Sequence, residues 1–383
     1  MTNKIKVLTV IGARPQFVKA SAISRVFSGI FNDQVEEHLL HTGQHYDYLL
    51  SDVFFEELGL PKPSYQLEIG SAGHGMQTAK MLEGIEQSIL ELQPDLLLVY
   101  GDTNSTLAGA LAASKLHIPV VHIEAGLRSF DMRMPEEINR KLTDHVSSLM
   151  AVPTAAGMTN LKAEGILGSK EGRPSPDNPY ILFSGDVMYD NCLHFTQGDS
   201  SLDTIFKFEL KDKAYGLATV HRPSNTDDPI ALNSLLKGLS NSSAEIGFPI
   251  FMPVHPRTQK VIERLFPGNS FAESFPGIIL NEPATYFQML ALEKHAFMIF
   301  TDSGGVQKEA YIFGKPCVIL RDRTEWVEIL ETGCAIAAGS DSTTILEATR
   351  TLMSRLPLKF PSLFGDGKAA EQICQFIVQS FSK

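Results

Sequence analysis

The chain has 383 residues, more than the ~100–200 of an ordinary domain, so two packed cores are expected. Its 33 Lys and Arg against 44 Asp and Glu leave a net charge of −11. That excludes a global field for nucleic acid or an anionic membrane, and any anionic ligand must be met by a local cluster. Hydrophobic residues at 43% and charged residues at 20% exclude disorder as the main state.

The first element predicted is a strand over 5–12, IKVLTVIG. Its apolar stretch VLTVI is too short for a secretory leader, and no run of about 18 apolar residues follows anywhere, so a cytoplasmic protein with no membrane partner is expected. Further strands are predicted at 36–43, 95–102, 119–126 and 148–154, with helix-length stretches between them. Residues 168–179, GSKEGRPSPDNP, lack periodicity and read as a surface connection near a domain boundary. A second series follows at 214–221, 248–255, 277–282, 296–305 and 315–322. Nearly all-apolar strands alternating with helices predict an α/β fold: two Rossmann-like, doubly wound parallel sheets facing a cleft. The expected domains are 1–180, closed by a C-terminal helix over 368–383, and 181–367. The cysteines Cys192, Cys317, Cys334 and Cys374 are scattered, so neither a disulfide framework nor a structural zinc site is expected.

In open α/β sheets ligands bind beyond the carboxyl ends of the strands, so the polar residues ending each strand are the candidates. They are Gly12-Ala13-Arg14-Pro15 leading to Lys19, His41-Thr42-Gly43-Gln44-His45, Gly101-Asp102-Thr103 and Glu124-Ala125-Gly126-Leu127-Arg128. In the second half they are His221-Arg222, His255-Pro256-Arg257, Asp302-Ser303-Gly304-Gly305 and Arg321-Asp322. Ser303-Gly304-Gly305 before a helix suits phosphate, although Gly-Gly after a strand also marks an ordinary tight turn. Arg14, Arg222, Arg257 and Arg321 at strand ends of an acidic chain favour a diphosphate ligand.

Asp102, Glu124 and Glu136 form a carboxylate set suited to acid–base work if crowding raises their pKa values. The structural alternatives are first-turn helix charge for Glu136 and Glu137, and capping or an ion pair with Arg128 or Arg140 for Asp102 and Glu124. His221 reads equally as a capping or core-edge histidine, and His74, between glycines, as a loop residue or one that closes over a ligand. Glu309 is either a surface residue or a partner for ribose hydroxyls. Trp326 reads as packing, and Arg133 and Lys308 as exposed cations, unless the substrate carries a carboxylate.

The chain resembles the non-hydrolysing UDP-N-acetylglucosamine 2-epimerases, which have the glycosyltransferase-B architecture. The likeness spans nearly the whole sequence. It is carried by Gly12-Ala13-Arg14-Pro15, Thr42-Gly43-Gln44-His45, Gly101-Asp102-Thr103, His122-Ile123-Glu124-Ala125-Gly126-Leu127-Arg128 and Pro135-Glu136-Glu137-Ile138-Asn139-Arg140. Val220-His221-Arg222, Pro253-Val254-His255, Thr301-Asp302-Ser303-Gly304-Gly305-Val306-Gln307, Leu320-Arg321-Asp322 and Gly365-Asp366-Gly367 continue it in order. The resemblance implies catalytic roles for Asp102, Glu124, Glu136 and His221. It implies UDP contacts for Arg14, Lys19, His255, Ser303, Gly304, Gly305, Glu309 and Arg321, and sugar contacts for Gln44, His45 and Arg140. Lys308 departs from the family's Gln-Glu-Glu pattern, residues 129–134 and Arg222-Pro223-Ser224 also differ, and Met289 stands where an aromatic residue would stack on uracil.

The implied reaction interconverts UDP-GlcNAc and UDP-ManNAc, or a close UDP-2-acetamido sugar such as the 2,3-diacetamido uronate. Because the hydrogen on C2 is not beside a carbonyl, the implied route eliminates UDP to a 2-acetamidoglucal and adds it back, with no cofactor or metal. The resemblance further implies a homodimer serving cell-surface polysaccharide synthesis. A hydrolysing epimerase, a glycosyltransferase on the same architecture and a non-catalytic nucleotide-sugar sensor are the alternatives.

Overall fold

The computed structural model describes residues 4–43, 55–169, 171–198, 200–268 and 270–382. They form two compact units, one of residues 1–191 and 363–383, the other of 192–362.

The first unit holds seven strands: β1 (Ile5–Ile11), β2 (Val35–His41), β3 (Tyr65–Gln66), β4 (Leu96–Tyr100), β5 (Val120–Ile123), β6 (Leu149–Val152) and β7 (Tyr180–Phe183). All pair in parallel, in the order β3-β2-β1-β4-β5-β6-β7. A parallel sheet is buried on both faces by its crossover helices, which is why every residue of β4, β5 and β6 is buried. One side of the core joins Leu8, Val10, Leu97 and Val99 to Met81, Ile85 and Ile89 of the helix His74–Leu92. Ile373, Cys374, Ile377 and Phe381 bury one face of the terminal helix Ala369–Phe381. Its first N–H groups, at Ala369 and Ala370, donate to Asp190 at 3.1 and 2.7 Å, a carboxylate cap that holds this last segment in the first unit.

The second unit has β8 (Gly216–Thr219), β9 (Ile250–Pro253), β10 (Ile278–Asn281), β11 (Met298–Thr301), β12 (Cys317–Ile319) and β13 (Ala335–Ala337), parallel in the order β10-β9-β8-β11-β12-β13. Its core packs Ala218, Met252, Phe300 and Val318 on Leu232, Leu235, Leu236 and Leu239 of the helix Pro229–Ile246.

The doubly wound α/β class is therefore as expected from the sequence, while three strands and two boundaries are not. β3, β7 and β13 are edge strands with half-exposed side chains. An edge has a neighbour on one side only, so short mixed sequences suffice and leave no long apolar run to read. Because β7 pairs with β6, the chain leaves the first unit after Asn191 and not at 180, and it returns at 363 and not at 368, where the Phe364 carbonyl accepts the Asp186 N–H at 3.0 Å. Several strands also stop short of their expected ends, β4 at Tyr100, β5 at Ile123 and β11 at Thr301, so that Asp102, Glu124 and Asp302 stand outside the ladders.

Each sheet has one switch point where its winding reverses: β1 and β4 in the first unit, β8 and β11 in the second. The crevice at the carboxyl ends of such a pair is where ligands bind in open α/β sheets.

Candidate active site

At the first switch point Gln16 ties the two strand ends together. Its Oε1 accepts the N–H groups of Gly12 and Ala13 at 2.8 and 3.0 Å, and its Nε2 donates to the Tyr100 carbonyl at 2.9 Å. Lys19, one turn further along the helix Arg14–Gly29, reaches Glu124 Oε1 at 2.7 Å with both side chains nearly buried. Glu124 has φ +72°, a left-handed conformation that costs a non-glycine residue free energy and turns its carboxylate out of the strand. Gly126, at φ +80°, lies so close to the helix Ala155–Ala163 that a Cβ would stand 2.6 Å from the Gly157 carbonyl oxygen.

Asp102 pairs with Arg140, whose other guanidinium nitrogen lies 3.2 Å from Glu137. Burial pushes the Asp102 carboxyl up, Arg140 and Lys19 draw it down, and the charges of Glu124 and Glu136 push it up again; the result lies above the ordinary aspartate value. Asn139 donates to the Asp102 carbonyl at 2.9 Å and to Asn104 at 3.3 Å, and Asn104 reaches Gln77 at 2.9 Å and the His74 ring at 3.2 Å. His74 is thus part of the hydrogen-bonded chain that carries Asp102.

The Pro135-Glu136-Glu137 segment opens the helix Pro135–Val146 with proline in its first turn. The two glutamates divide their work. Glu137 is fully buried and accepts the N–H groups of Ser129 and Phe130 at 2.8 and 3.2 Å; against its burial, the Ser129 N–H and hydroxyl, together with Arg140, hold its carboxyl below the usual range. Glu136 is exposed, has no ion-pair partner among the described residues, and lies within electrostatic range of Asp102. Arg128, offered by the sequence as a partner for Asp102 or Glu124, pairs instead with Asp144 and Glu164 at 2.8 and 2.7 Å. Asp144 also accepts the Gly126 N–H at 3.1 Å and holds His122 Nδ1 at 2.7 Å, while His122 Nε2 meets the Gly101 carbonyl at 2.8 Å. This buried layer clamps the backbone on which Asp102 and Glu124 stand.

At the second switch point Asp302 is fully buried. It accepts the Arg222 N–H and Asn225 Nδ2 at 2.9 and 3.0 Å and pairs with His221 Nδ1 at 2.8 Å. Ser303 caps the helix Gly304–Ile312, whose first N–H groups have no carbonyl partner within the helix. At Gly304 a Cβ would meet Glu325 Oε1 at 2.1 Å, whereas the nearest atom to one at Gly305 is Ser303 Oγ at 3.8 Å, so Gly305 offers bare backbone to open space. Such a terminus is an anion site. Arg321 lies beside it, held to Glu325 at 3.0 Å.

The remaining expected contacts are placed less simply. Arg14 is exposed at the start of its helix. His255 is an exposed helix cap, its Nδ1 accepting the Arg257 N–H at 3.3 Å, and Arg257 pairs with Asp227 at 2.7 Å. Gln44 and His45 lie outside the described residues. Arg133 is exposed and pairs with Asp131 at 2.7 Å. Lys308 departs from the exposed cation expected of it: it is buried, with Nζ 4.4 Å from the centre of the Trp326 ring, because the first turn of its helix faces that packed tryptophan. Among the described residues no group of His, Cys, Asp and Glu is arranged to hold a metal, and no helix is long and apolar enough to cross a membrane.

Glu309 is buried against Glu293, a residue the sequence did not single out. Glu293 is fully buried, and neither of its oxygens meets an N–H or O–H donor. Desolvation, then the Glu309 charge, push it well above the carboxylate range, so it is held neutral beside Glu309. A folded-state pKa above the unfolded one means that this group favours folding below about 4.5 and loses that contribution as pH rises toward the folded value. Glu293→Gln keeps the donor and removes the titration, so its thermal midpoint is expected to exceed that of the parent chain by more at pH 8 than at pH 5. Equal differences at both pH values in calorimetry would show that Glu293 is not held neutral.

Residues 31–378 match the pattern of a family described as UDP-N-acetylglucosamine 2-epimerase. The chain is 45% identical, over 98% of its length and 100% of the relative's, to the UDP-2,3-diacetamido-2,3-dideoxy-D-glucuronate 2-epimerase of Pseudomonas aeruginosa. The UDP-GlcNAc 2-epimerase of Methanocaldococcus jannaschii, solved with UDP-GlcNAc and UDP, is 39% identical with a TM-score of 0.81, over 98% of this chain and 100% of that one. The Neisseria meningitidis UDP-GlcNAc 2-epimerase, bound to UDP-GlcNAc, is 28% identical with a TM-score of 0.80 at the same coverage.

Proposed function

The chain belongs to the UDP-N-acetylglucosamine 2-epimerase family, and from that premise we propose that it inverts C2 of a UDP-2-acetamido sugar without hydrolysing it. The substrate class comprises UDP-GlcNAc, with UDP-ManNAc as product, and the 2,3-diacetamido uronate on which the Pseudomonas relative is named. The observation that carries the reading is the carboxylate cluster at the ends of β4 and β5, where burial and neighbouring carboxylates lift Asp102 toward the range useful for proton transfer.

In the proposed reaction a carboxylate takes the proton from C2 as the C1–O bond breaks. The electron pair of that bond leaves with the β-phosphate oxygen, and C1 and C2 become a double bond. UDP then adds back to C1, and a proton is delivered to the opposite face of C2. Asp102 and Glu136 are the proposed proton carriers, with Lys19 and Arg140 holding Glu124 and Asp102 in place. The diphosphate site is proposed at Ser303, Gly304 and Gly305, with Arg321 beside it and His221 at the leaving oxygen. Glu309 at the ribose hydroxyls, Arg14, His255 and the sugar contacts of Gln44, His45 and Arg140 keep the roles the resemblance implies. A homodimer and a role in cell-surface polysaccharide synthesis extend the same proposal on the family resemblance alone, and a cytoplasmic location extends it on the short apolar start of the sequence.

The test is a panel of UDP-2-acetamido sugars, each incubated alone in D₂O and followed by proton NMR. The expected result is a C2 epimer carrying deuterium at C2, with no free sugar accumulating. Free sugar and UDP would identify a hydrolysing enzyme, and an epimer without deuterium after many turnovers would remove deprotonation at C2. Binding of UDP with no exchange at C2 would identify a sensor.

A further inference from the structure

We infer that Asp302 is a positioning residue for His221, holding the imidazole by Nδ1 so that Nε2 is the atom presented to the departing diphosphate. The inference deepens the proposed epimerase reading and rests on it for its chemical meaning.

The placement follows from sheet topology. β8 and β11 are parallel neighbours with Thr219 opposite Thr301, so the residues that leave the two strands, His221 and Asp302, meet at the switch point. Asp302 has no exposed surface, and five hydrogen-bonding approaches converge on its two oxygens. The His221 N–H reaches both, at 3.2 and 3.1 Å, and the Arg222 N–H, Asn225 Nδ2 and His221 Nδ1 take the rest. Asn225 also donates to the Leu320 carbonyl at 3.0 Å, tying the carboxylate to the end of β12. A buried carboxylate so surrounded cannot rotate away without leaving several donors unpaired.

The protonation states follow from the same contacts. Burial alone would push the Asp302 carboxyl up, but His221, the Arg222 N–H and Asn225 prevail and hold it below its ordinary value. An ionised carboxylate only accepts, so the His221 nitrogen 2.8 Å away must carry the hydrogen. The ring has two nitrogens, and Nε2 is therefore left for the ligand side, where the His221 side chain is 53% exposed. The Ser303 cap and the bare Gly305 backbone leave the same strand as Asp302, so an anion there sits at the same end of the sheet as Nε2.

In the elimination, the electron pair of the C1–O bond passes to the β-phosphate oxygen. A proton on Nε2 is shared with or given to that oxygen, leaving the ring neutral with Nδ1–H still on Asp302. On re-addition the oxygen returns the proton to Nε2 as the C1–O bond forms. Asp302 balances the ring's positive charge when both nitrogens are protonated, and it excludes the tautomer that would turn a bare Nδ1 to the carboxylate.

Asp302→Asn replaces one acceptor by an N–H group facing Nδ1, so the ring loses Nδ1–H and the carboxylate that balances its positive charge, and it can no longer give up the Nε2 proton and remain a neutral imidazole. The expected kcat falls about a hundredfold or more, with the UDP dissociation constant within about threefold of the parent's. Asp302→Asn combined with His221→Ala is expected to be no slower than His221→Ala alone, because the two substitutions remove one function. Losses that multiply, or a UDP affinity that collapses together with kcat, would assign Asp302 a structural role and overturn the proposal. Nitrogen-15 NMR of the histidine rings in the unsubstituted protein gives the reading should Asp302→Asn fail to fold. Nδ1–H at His221 is expected, and an unprotonated Nδ1 would contradict the assignment. Absence of epimerisation of every UDP-sugar in the unsubstituted protein would defeat the functional reading, while the ring measurement would still decide whether Asp302 orients His221.

Discussion

Asp102→Asn is expected to lower turnover by about a hundredfold or more, the scale of losing a general acid or base, while UDP still binds. The substitution keeps the shape of a side chain whose backbone is fixed independently, by Asn139 on its carbonyl and by His122 on the preceding Gly101 carbonyl. What it removes is the proton and the charge that Arg140 balances. Glu136→Gln is expected to match it, since Glu136 is an exposed carboxylate beside Asp102 and no ion pair among the described residues depends on it. The double variant should be little slower than either single one if both serve one proton path. Steady-state kinetics with calorimetric UDP binding separates the outcomes, and near-parental turnover in either folded variant would remove that residue from the mechanism. Glu137→Gln supplies the contrast, for Glu137 is spent on Ser129, Phe130 and Arg140, and its loss should appear first as instability of the 129–130 loop.

The largest effect on stability is expected at Asp144, which no reading of the sequence picked out. Its buried carboxylate joins His122, Arg128 and the Gly126 N–H. Asp144→Ala leaves Arg128, itself without exposed side-chain surface, with Glu164 as its one remaining acidic partner, and it orphans the Gly126 amide. Breaking a buried pair from one side costs about 3–5 kcal/mol. Glu164 keeps part of the Arg128 charge balanced, so the lower end of that range is expected here. The urea midpoint of the first unit, followed by hydrogen exchange at β4 and β5, should fall accordingly, with Asp144→Asn intermediate because it retains one acceptor. Unchanged protection would show that the buried layer contributes little to stability. Turnover should fall with protection, since His122 loses its partner and the Gly101 carbonyl beside Asp102 loses its anchor.

The α/β class and the whereabouts of the candidate residues were legible because both are local properties of the chain. A parallel strand covered on both faces is a continuous apolar run, as LLLVY and VVHI are, and a polar residue ending such a run stands out without knowledge of any neighbour. Asp102, Glu124, His221 and Ser303 were found in this way. Which of them would meet was decided only by tertiary structure. Lys19 reaches Glu124 across 105 positions, and His221 reaches Asp302 across 81. Such pairs are set by the strand orders β1-β4-β5 and β8-β11, which minimise the free energy of the whole buried sheet and leave no periodic trace in either segment. The same holds for Asp144, Glu293 and Asp302, polar residues whose importance lies in being surrounded. A carboxylate on a surface helix and one sealed among donors are the same letter in the sequence. The surroundings that separate them, desolvation raising Glu293 and hydrogen-bond donors fixing Asp302 as an ion against its own desolvation, are created by groups that arrive from elsewhere in the chain.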